Sequence, residues 1–442
     1  MRTKLSVLLG VAAMLTVALP ASSSGRSNTV GAAPGSAVAD WTQNAHQAIA
    51  TATRFPAKEA VYMGIVSATI YDAAVAVDGR YRPYGNVDVT APRGASLDAA
   101  VAAAANDVLV GLFPAQQVQL DNLYNAYVNG IAAGQAKDDG LAAGHAVAGQ
   151  ILASPRIATA ISVLRAPEHY QQQTPGPGVY EPTGPAPIGT TLADVPPLAL
   201  ASVAQFRPDG PSTLGSEVYA HDLNEVALVG RKDSTARTAE QTTTAWFWTD
   251  LDIPQWNRAM LRLADSRGLG PLQTARMLAM ANVSGSDAMI ACFDAKYQYF
   301  FWRPVKAIRN ADTDGNPATN ADPTWEPLFP TPPFPEYPSA HGCHSAAVTQ
   351  ALRRFFGTDR VRFSLDSFAT TLPPAGCTAC APGAIRYYDR FRDAVKEVIS
   401  ARVWAGFHFR HSDQAGAALG RKVARYVTQR FFEQRAKRAG RG

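Results

Sequence analysis

The chain has 442 residues, of which 47% are hydrophobic and 17% are charged, so it can build a large buried core. Its length permits two or three domains, or one large helical domain. The net charge is only +5 and no dense block of lysine and arginine alternates with aromatic residues, which argues against a nucleic-acid-binding protein.

The first residues have the pattern of a secretory signal peptide, which we place at residues 1–24. Arg2 and Lys4 precede an apolar run over 5–19, and small residues at 21–23 suit cleavage. An uncleaved membrane anchor is the alternative. Residues 25–39 are rich in glycine, alanine and serine and predict a disordered linker. We find no later apolar run that is long and charge-free enough to span a bilayer, so we expect no stable membrane span after removal of the signal peptide. The expected location is extracellular or periplasmic, as for a secreted protein.

Two regions follow the linker. Residues 40–165 carry alanine, valine, leucine and isoleucine at helical spacing, which predicts an N-terminal helical region. Residues 166–215 are rich in proline and glycine and are too long for an ordinary loop. This segment also contains Tyr180 and Phe206, which a plain linker would avoid, so we expect an ordered excursion that covers the core and helps to wall a pocket.

Helical spacing returns over residues 216–434, the predicted C-terminal helical region. Helices are predicted at 216–229, 234–248, 251–263, 271–303, 345–356, 382–407 and 412–434, with a loop over 310–335. The fold class is therefore mainly α, built of helical bundles, with few or no strands.

The four cysteines of the chain are Cys292, Cys343, Cys377 and Cys380. An even count in an exported chain favours disulfides, and three pairings are possible. Cys377 and Cys380 have no second pair of ligands at zinc-site spacing, and no βαβ pattern around them suggests a redox dithiol.

The residues around Pro338 form the first part of a candidate anion site. Pro338 stops regular structure, and small residues then lead into a helix, whose first N–H groups and dipole attract anions. Ser339 adds a hydroxyl donor, the Ala340 or Gly342 N–H adds a backbone donor, and His341 can carry a proton near neutral pH.

Two further motifs supply positive charge. Lys296 and Arg303 are seven residues apart, so on one continuous helix both would point from the same face, among aromatic residues that make unpaired charge costly. Arg402 and His408 are six residues apart, and they can meet if the helix breaks near Gly406. Three cations with two imidazoles fit a phosphate-like oxyanion.

The order Lys-x6-Arg-Pro, Pro-Ser-Ala-His and Arg-x5-His resembles the signature shared by vanadium-dependent haloperoxidases and type 2 phosphatidic acid phosphatases. The surroundings are similar to the haloperoxidases, namely at residues 301–304, 333–339, 205–208 and 216–219. The resemblance covers roughly residues 41–431. It implies helical bundles of the haloperoxidase and acid phosphatase type.

The resemblance also implies roles for individual residues. Vanadate oxygens would be held by Lys296, Arg303, Ser339, the Ala340 N–H and Arg402, with His408 as the axial ligand of vanadium. His341 would be the acid–base residue, and Lys296 would polarise the peroxide. The implied partners are hydrogen peroxide, a halide and a small organic acceptor.

The chain departs from the family pattern at two positions. Ala340 replaces a common glycine but keeps its N–H. Ser412 replaces a common aspartate, so the carboxylate that orients His408 is either Asp413 or Asp287. His344 and His411 flank the motifs and are expected to be supporting or surface residues.

Two other functions use the same residues. A phosphomonoesterase would employ His408 as the nucleophile and His341 as the acid that protonates the leaving oxygen. A secreted helical protein that binds phosphate without turnover is the third possibility.

Overall fold

The computed structural model describes residues 36–53, 55–182, 184 and 186–435. The predicted signal peptide and residues 25–35 of the predicted linker lie outside this part of the chain. The first helix begins at Ser36, so the last residues of the predicted linker, 36–39, are helical.

The described part of the chain contains fourteen α-helices and two strands. The helices are α1 (Ser36–Ala52), α2 (Pro56–Asp78), α3 (Leu97–Leu112), α4 (Gln117–Asn129), α5 (Gln135–Ala153), α6 (Pro155–Arg165), α7 (Glu217–Val229), α8 (Ala239–Phe247), α9 (Asp252–Ser266), α10 (Pro271–Tyr299), α11 (Pro304–Arg309), α12 (Ala340–Phe356), α13 (Phe391–Trp404) and α14 (Arg410–Arg430). Strands β1 (Phe363–Ser367) and β2 (Ala384–Tyr388) pair antiparallel, with Leu365 opposite Arg386. The prediction of a mainly α fold with few strands is confirmed, although the fold is not all-α.

Helix α10 lies at the centre of the molecule. It packs against α2 on the N-terminal side and against α12 and α14 on the C-terminal side. Helices α12 and α14 approach closely because α14 has glycines at the contact: a Cβ atom at Gly416 would lie 2.5 Å from the Ser339 carbonyl oxygen, and one at Gly420 would lie 2.1 Å from that of Cys343. This packing brings the start of α12 beside the end of α10.

The length and hydropathy of helix α2 contradict one prediction made from the sequence. Its most apolar 18-residue window has a mean hydropathy of 1.6, so by length and composition this helix could cross a membrane. Two bent helix pairs, 97–129 and 135–165, pass the same test if each pair is one span. The prediction that no later segment is long and apolar enough was therefore wrong. In the fold, 94% of the α2 window is buried inside the protein.

The proline- and glycine-rich segment is packed against α10. Tyr180, Leu198 and Leu200 are buried. The Asp287 carboxylate on α10 accepts N–H groups from Leu198, Ala199 and Leu200 at 2.6 to 2.8 Å. A buried carboxylate with three backbone donors fixes the course of this segment across the core.

Several predicted helix boundaries differ from the structure, and three of them bear on the candidate site. Helix α10 ends at Tyr299 rather than at 303, because Phe300 adopts a left-handed conformation with φ of 46°. Helix α12 begins at Ala340 rather than at 345, and Ser339 is its N-cap residue. The predicted helix over 382–407 begins only at Phe391, because residues 384–388 form β2.

Candidate active site

The turn into α12 places the first group of predicted site residues. The N–H of Ser339 donates to the Ser412 carbonyl at 3.1 Å, which ties the turn to the start of α14. Ala340 and His341 are the first residues of α12. Their N–H groups belong to a first turn, which has no acceptors within the helix and is suited to an anion.

Lys296 and Arg303 meet at Phe334, although they do not lie on one helix. Arg303 is the N-cap residue of α11, so the argument from a shared helical face was wrong. The Lys296 ammonium lies 5.0 Å and the Arg303 guanidinium 4.9 Å from the centre of the Phe334 ring. Lys296 Nζ also donates to the carbonyls of Pro335 and Glu336, and Arg303 Nε donates to that of Phe334. The loop before α12 therefore contacts the positively charged groups of both Lys296 and Arg303.

A chain reversal after α13 brings Arg402 and His408 together. The sequence analysis left open whether the helix breaks near Gly406, and its predicted helix ran on to residue 407. Helix α13 ends at Trp404, and Gly406 has a φ of 78°. A Cβ atom at this position would lie 2.6 Å from the Gly230 carbonyl oxygen, so glycine is required there for both conformation and space. Arg402 Nη1 donates to the Trp248 carbonyl at 2.8 Å.

His408 is held through both ring nitrogens. Its Nδ1 lies 2.8 Å from Glu336 Oε1, and its Nε2 lies 3.1 Å from Arg303 Nη1. A guanidinium can only donate, and an ionised carboxylate can only accept. His408 is thus the tautomer with its proton on Nδ1 and its lone pair on Nε2, the form that a metal ligand or a nucleophile needs.

Glu336 is the functional residue that the sequence analysis missed. Besides His408 Nδ1, its carboxylate accepts the Phe409 N–H at 3.0 Å and the Ser412 hydroxyl at 2.6 Å. Asp287 is instead bonded to the backbone N–H groups of residues 198–200, and among the described residues neither carboxylate oxygen of Asp413 has a hydrogen-bond partner. Both carboxylates proposed to orient His408 were therefore wrong. The only sequence signal was the position of Glu336 within the Pro335–Pro338 motif.

The ionisable groups of the site are buried and perturb one another. Burial lowers the pKa of Lys296 to about 8 and those of Arg303 and Arg402 to about 10. Burial, with the nearby charges of Arg303, Lys296, Arg402 and His341, lowers the pKa of His408 well below its ordinary value. The five groups that the sequence analysis assembled are thus neighbours in one buried site.

The two buried carboxyl groups of Glu336 and Asp413 offset only part of the positive charge of the site. Burial raises the pKa of Glu336 to about 7, against the opposing effect of the Ser412 hydrogen bond and the Arg303 and Lys296 charges. Burial also raises the pKa of Asp413 well above its ordinary value, and the Glu336 charge acts in the same direction.

Three buried donors of the site have no hydrogen-bond partner within the described residues: Arg303 Nη2, Ser339 Oγ and Arg402 Nε. The Ser339 hydroxyl lies close enough to Asp413 to interact with it, but the contact falls short of a hydrogen bond. Buried donors without acceptors are costly, and an oxyanion offers acceptors to all three. The residues present therefore fit vanadate or phosphate.

His341 is half-buried and lines the cavity beside the site. Its Nε2 is 3.4 Å from the Asp250 carbonyl oxygen. Burial, with the nearby charge of Arg402, lowers the pKa of His341 to about 4, so this imidazole is neutral at pH 7. His344 is buried and pairs with Asp252 at 2.9 Å, and His411 stacks on Tyr337, which fits their expected supporting roles.

A cavity of about 1340 Å³ leads to the site. Its lining includes Ala340, His341, Arg402 and His408. The other walls are largely apolar, formed by Phe55, Leu251, Met289, Phe293, Leu328, Phe329, Phe334, Phe407 and several prolines. Ile188 of the proline- and glycine-rich segment also lines the cavity.

Cys377 and Cys380 form a disulfide, with a Cα–Cα distance of 5.4 Å. Cys292 and Cys343 are buried and are not bonded to each other in the structure. Of the open pairings, the structure thus contains the bond between the two cysteines that are closest in sequence.

The fold is built of helical bundles, and the candidate site offers buried donors that suit an oxyanion. Residues 276–436 match the family model of the VCPO second helical-bundle domain. A 92-residue segment is 37% identical to vanadium chloroperoxidase of Curvularia inaequalis, a match that covers 19% of this chain and 14% of that relative.

Solved structures extend the likeness to most of the chain. A bacterial vanadium-dependent iodoperoxidase superposes with a TM-score of 0.72 at 22% identity, covering 91% of this chain and 98% of that one. An apo-type bacterial vanadium-dependent chloroperoxidase superposes with a TM-score of 0.65 at 16% identity, covering 84% and 92%. The resemblance to the vanadium-dependent haloperoxidases is therefore confirmed, and at these identities the solved structures establish the fold alone. The assignment of individual ligands and of domain boundaries stays a prediction.

Proposed function

We propose that this protein is a vanadate-dependent haloperoxidase that oxidises a halide with hydrogen peroxide to a hypohalous-acid-type halogenating species. The observation that carries the proposal is the fixed tautomer of His408, whose Nε2 lone pair lies among Lys296, Arg303 and Arg402. A neutral imidazole in a cationic site with unpartnered donors supports binding of a tetrahedral oxyanion with one ligand position supplied by the protein.

Bound vanadate supplies a Lewis acid that activates peroxide without a change in metal oxidation state. The residues of this chain supply positioning, charge and proton transfer. The oxyanion would be held by Lys296, Arg303, Arg402, Ser339 and the first N–H groups of α12, and His408 Nε2 would be the ligand of vanadium. Glu336 keeps the His408 proton on Nδ1 and stabilises the ring through its negative charge.

His341 is proposed to accept a proton from the incoming hydrogen peroxide. Its neutral state at pH 7 leaves a nitrogen lone pair free for this step, and it lines the cavity through which peroxide enters. Lys296 would place its positive charge beside the peroxide and draw electron density from the oxygen that the halide attacks. Overall, hydrogen peroxide, a halide ion and a proton would give hypohalous acid and water, and the organic acceptor would exchange a hydrogen for the halogen.

The walls of the cavity are largely apolar, which suits a small organic acceptor, and they also carry Lys232, Arg237 and Arg309. Phosphate-ester hydrolysis would use the same cations of the site, so the measured activity separates the two reactions. Export of the protein is a further proposal, supported by the charged start and apolar run of residues 1–24. N-terminal sequencing of the protein recovered from the medium or the periplasm tests it.

The test compares three activities of the purified full chain. We expect bromination of a phenolic dye that requires vanadate, hydrogen peroxide and bromide together. Release of phosphate from an aryl phosphate without vanadate, in the absence of bromination, would instead identify a phosphatase. Tight phosphate binding with neither activity would identify a non-catalytic binding protein.

His408→Ala separates the ligand role of this residue from general effects on the site. Loss of the imidazole should lower vanadate affinity at least tenfold, as judged by equilibrium titration. The matched control is His221→Ala, because His221 is exposed on α7 and is not among the residues that line the cavity. Unchanged vanadate affinity in His408→Ala would remove this residue from the ligand set.

A further inference from the structure

A pair of buried thiols lies directly behind the candidate active site. Cys292 on α10 and Cys343 on α12 are both fully buried, and their sulfur atoms are 2.7 Å apart. This separation is closer than two non-bonded sulfur atoms normally keep, and longer than the roughly 2.05 Å of a disulfide bond. The other two cysteines of the chain are already joined to each other.

We propose that Cys292 and Cys343 are a site of oxidative modification and form a second disulfide, which joins α10 to α12 across the core. The two helices pack against each other at this point, so the bond needs only a small movement of the two side chains. This inference does not depend on the proposed halide oxidation.

The position of the pair relates it to the active site. Cys292 lies one helical turn before Lys296 on α10. Cys343 lies one turn after Ser339, and its N–H donates to the Ser339 carbonyl at 3.0 Å. Cys292 Sγ also points to the Pro338 carbonyl oxygen, at 3.6 Å. A bond between these sulfurs fixes the end of α10 relative to the turn that starts α12, and thus Lys296 relative to Ser339 and His341.

The oxidant that we assign is hydrogen peroxide. In the first step Cys343 Sγ attacks one peroxide oxygen; an S–O bond forms, the O–O bond breaks, and the leaving oxygen departs as water with the thiol proton. In the second step Cys292 Sγ attacks the Cys343 sulfur; the S–S bond forms, the S–O bond breaks, and a second water leaves with the other thiol proton. Two thiols are oxidised and one peroxide is reduced to two waters.

Burial makes the reaction slow in the folded protein. It raises the pKa of the Cys343 thiol well above its ordinary value, and the thiolate is the reactive form. Oxidation is therefore expected to be fastest while the chain folds, before both sulfurs are enclosed.

The test maps thiols in the full chain. One sample of reduced, denatured protein is refolded with hydrogen peroxide and another with a reducing agent. Each is then denatured, alkylated and digested for mass spectrometry without reduction. We expect a peptide that links Cys292 to Cys343 in the peroxide sample and two alkylated cysteines at these positions in the reduced one. The Cys377→Ser/Cys380→Ser double variant should give the same link, which excludes exchange with the other disulfide.

Thermal unfolding provides the second measurement. The bond closes a loop of about 50 residues, so the oxidised protein should unfold about 5 °C above the reduced one. This difference should disappear in Cys292→Ala/Cys343→Ala, while it persists in Cys377→Ser/Cys380→Ser. Two alkylated thiols at 292 and 343 after refolding in peroxide, or a link from either residue to Cys377 or Cys380, would overturn the proposal. The mapping of the unmodified chain decides the question even if a variant fails to fold.

Discussion

The Nδ1 atom of His408 lies 2.8 Å from Oε1 of Glu336, and both side chains are buried. The same carboxylate receives the Phe409 N–H and the Ser412 hydroxyl, so its position is fixed from three sides. Ser412 thus supports His408 indirectly, through Glu336. The vanadium-dependent haloperoxidases that this chain resembles commonly have an aspartate at the position of Ser412. The carboxylate that orients the imidazole comes from the loop before α12 instead of from α14.

Glu336→Gln tests this relationship. Glutamine keeps the shape of the side chain but loses the negative charge that makes Nε2 of His408 a better ligand. We expect vanadate affinity to fall about 10- to 100-fold, measured by equilibrium titration. Ser412→Ala is the matched control, since it removes one hydrogen bond to the Glu336 carboxylate and leaves the contact between Glu336 and His408. The loss of vanadate affinity in Ser412→Ala should therefore be smaller than in Glu336→Gln. Equal losses in the two variants would contradict a direct role for the Glu336 charge.

His341→Ala tests the proton-transfer role. The variant loses the neutral imidazole that lines the cavity but keeps the cations, so it should bind vanadate with nearly unchanged affinity. We expect the bromination rate to fall at least about 100-fold, the usual contribution of general acid–base catalysis. Steady-state rates measured at saturating vanadate check this outcome, with His221→Ala beside it. Full activity of His341→Ala would exclude the residue from the reaction.

The low pKa of Lys296 predicts a pH dependence of anion binding. An anion favours the charged ammonium, and Lys296 loses its proton at about pH 8 in the free protein. Below pH 8 the contribution of Lys296 is constant; above pH 8 binding must take up a proton, so affinity falls by up to about tenfold per pH unit.

Lys296→Met isolates this effect from the ionisation of vanadate itself. The variant should bind vanadate roughly 10- to 100-fold more weakly at pH 7, because a charged hydrogen bond is lost. Its affinity should also fall less steeply than that of the unmodified protein between pH 8 and 10. The measurement is calorimetric titration at several pH values, and identical slopes for the two proteins would show that Lys296 does not contact the anion.

Gly406→Ala tests the chain reversal that places His408. The added Cβ meets the Gly230 carbonyl at 2.6 Å and forces a left-handed residue to carry a side chain, so we expect a loss of roughly 3 kcal/mol in the free energy of unfolding. Gly357→Ala is the matched control: its φ is 72°, but nothing lies within 4 Å of the new atom, so its loss should be about 1 kcal/mol. Urea unfolding of the two variants gives the comparison, and similar midpoints would show that crowding at Gly406 is relieved by local movement.

The sequence predicted the helical fold because helices depend on local pattern. Helical spacing agrees with most of the observed helices, although residues 384–388 form β2 inside a predicted helix. The candidate site residues were named from three motifs whose order does not depend on tertiary contacts. A break near Gly406 was one of the possibilities left open, since glycine is the residue that most readily ends a helix in the left-handed conformation.

The rest depended on contacts that sequence spacing does not reveal. Phe300 ends α10 in a left-handed conformation that a bulky residue rarely adopts, so Arg303 reaches the site from the next helix. The direction of the Glu336 side chain is set by partners more than 70 residues away. The sequence analysis therefore chose Asp413 and Asp287, and both choices were wrong.

The central position of α10 has a consequence for dividing the protein. The matched domain begins at residue 276, five residues inside a helix whose opposite sides pack on α2 and on α12. Cutting there would separate α10 from α2, including Ser67, whose hydroxyl oxygen accepts a hydrogen bond from the buried Asn282 side chain at 2.9 Å. The N-terminal and C-terminal helices are therefore best regarded as one cooperative unit, in which damage to the N-terminal half is expected to weaken the candidate site without changing any of its predicted oxyanion-binding residues.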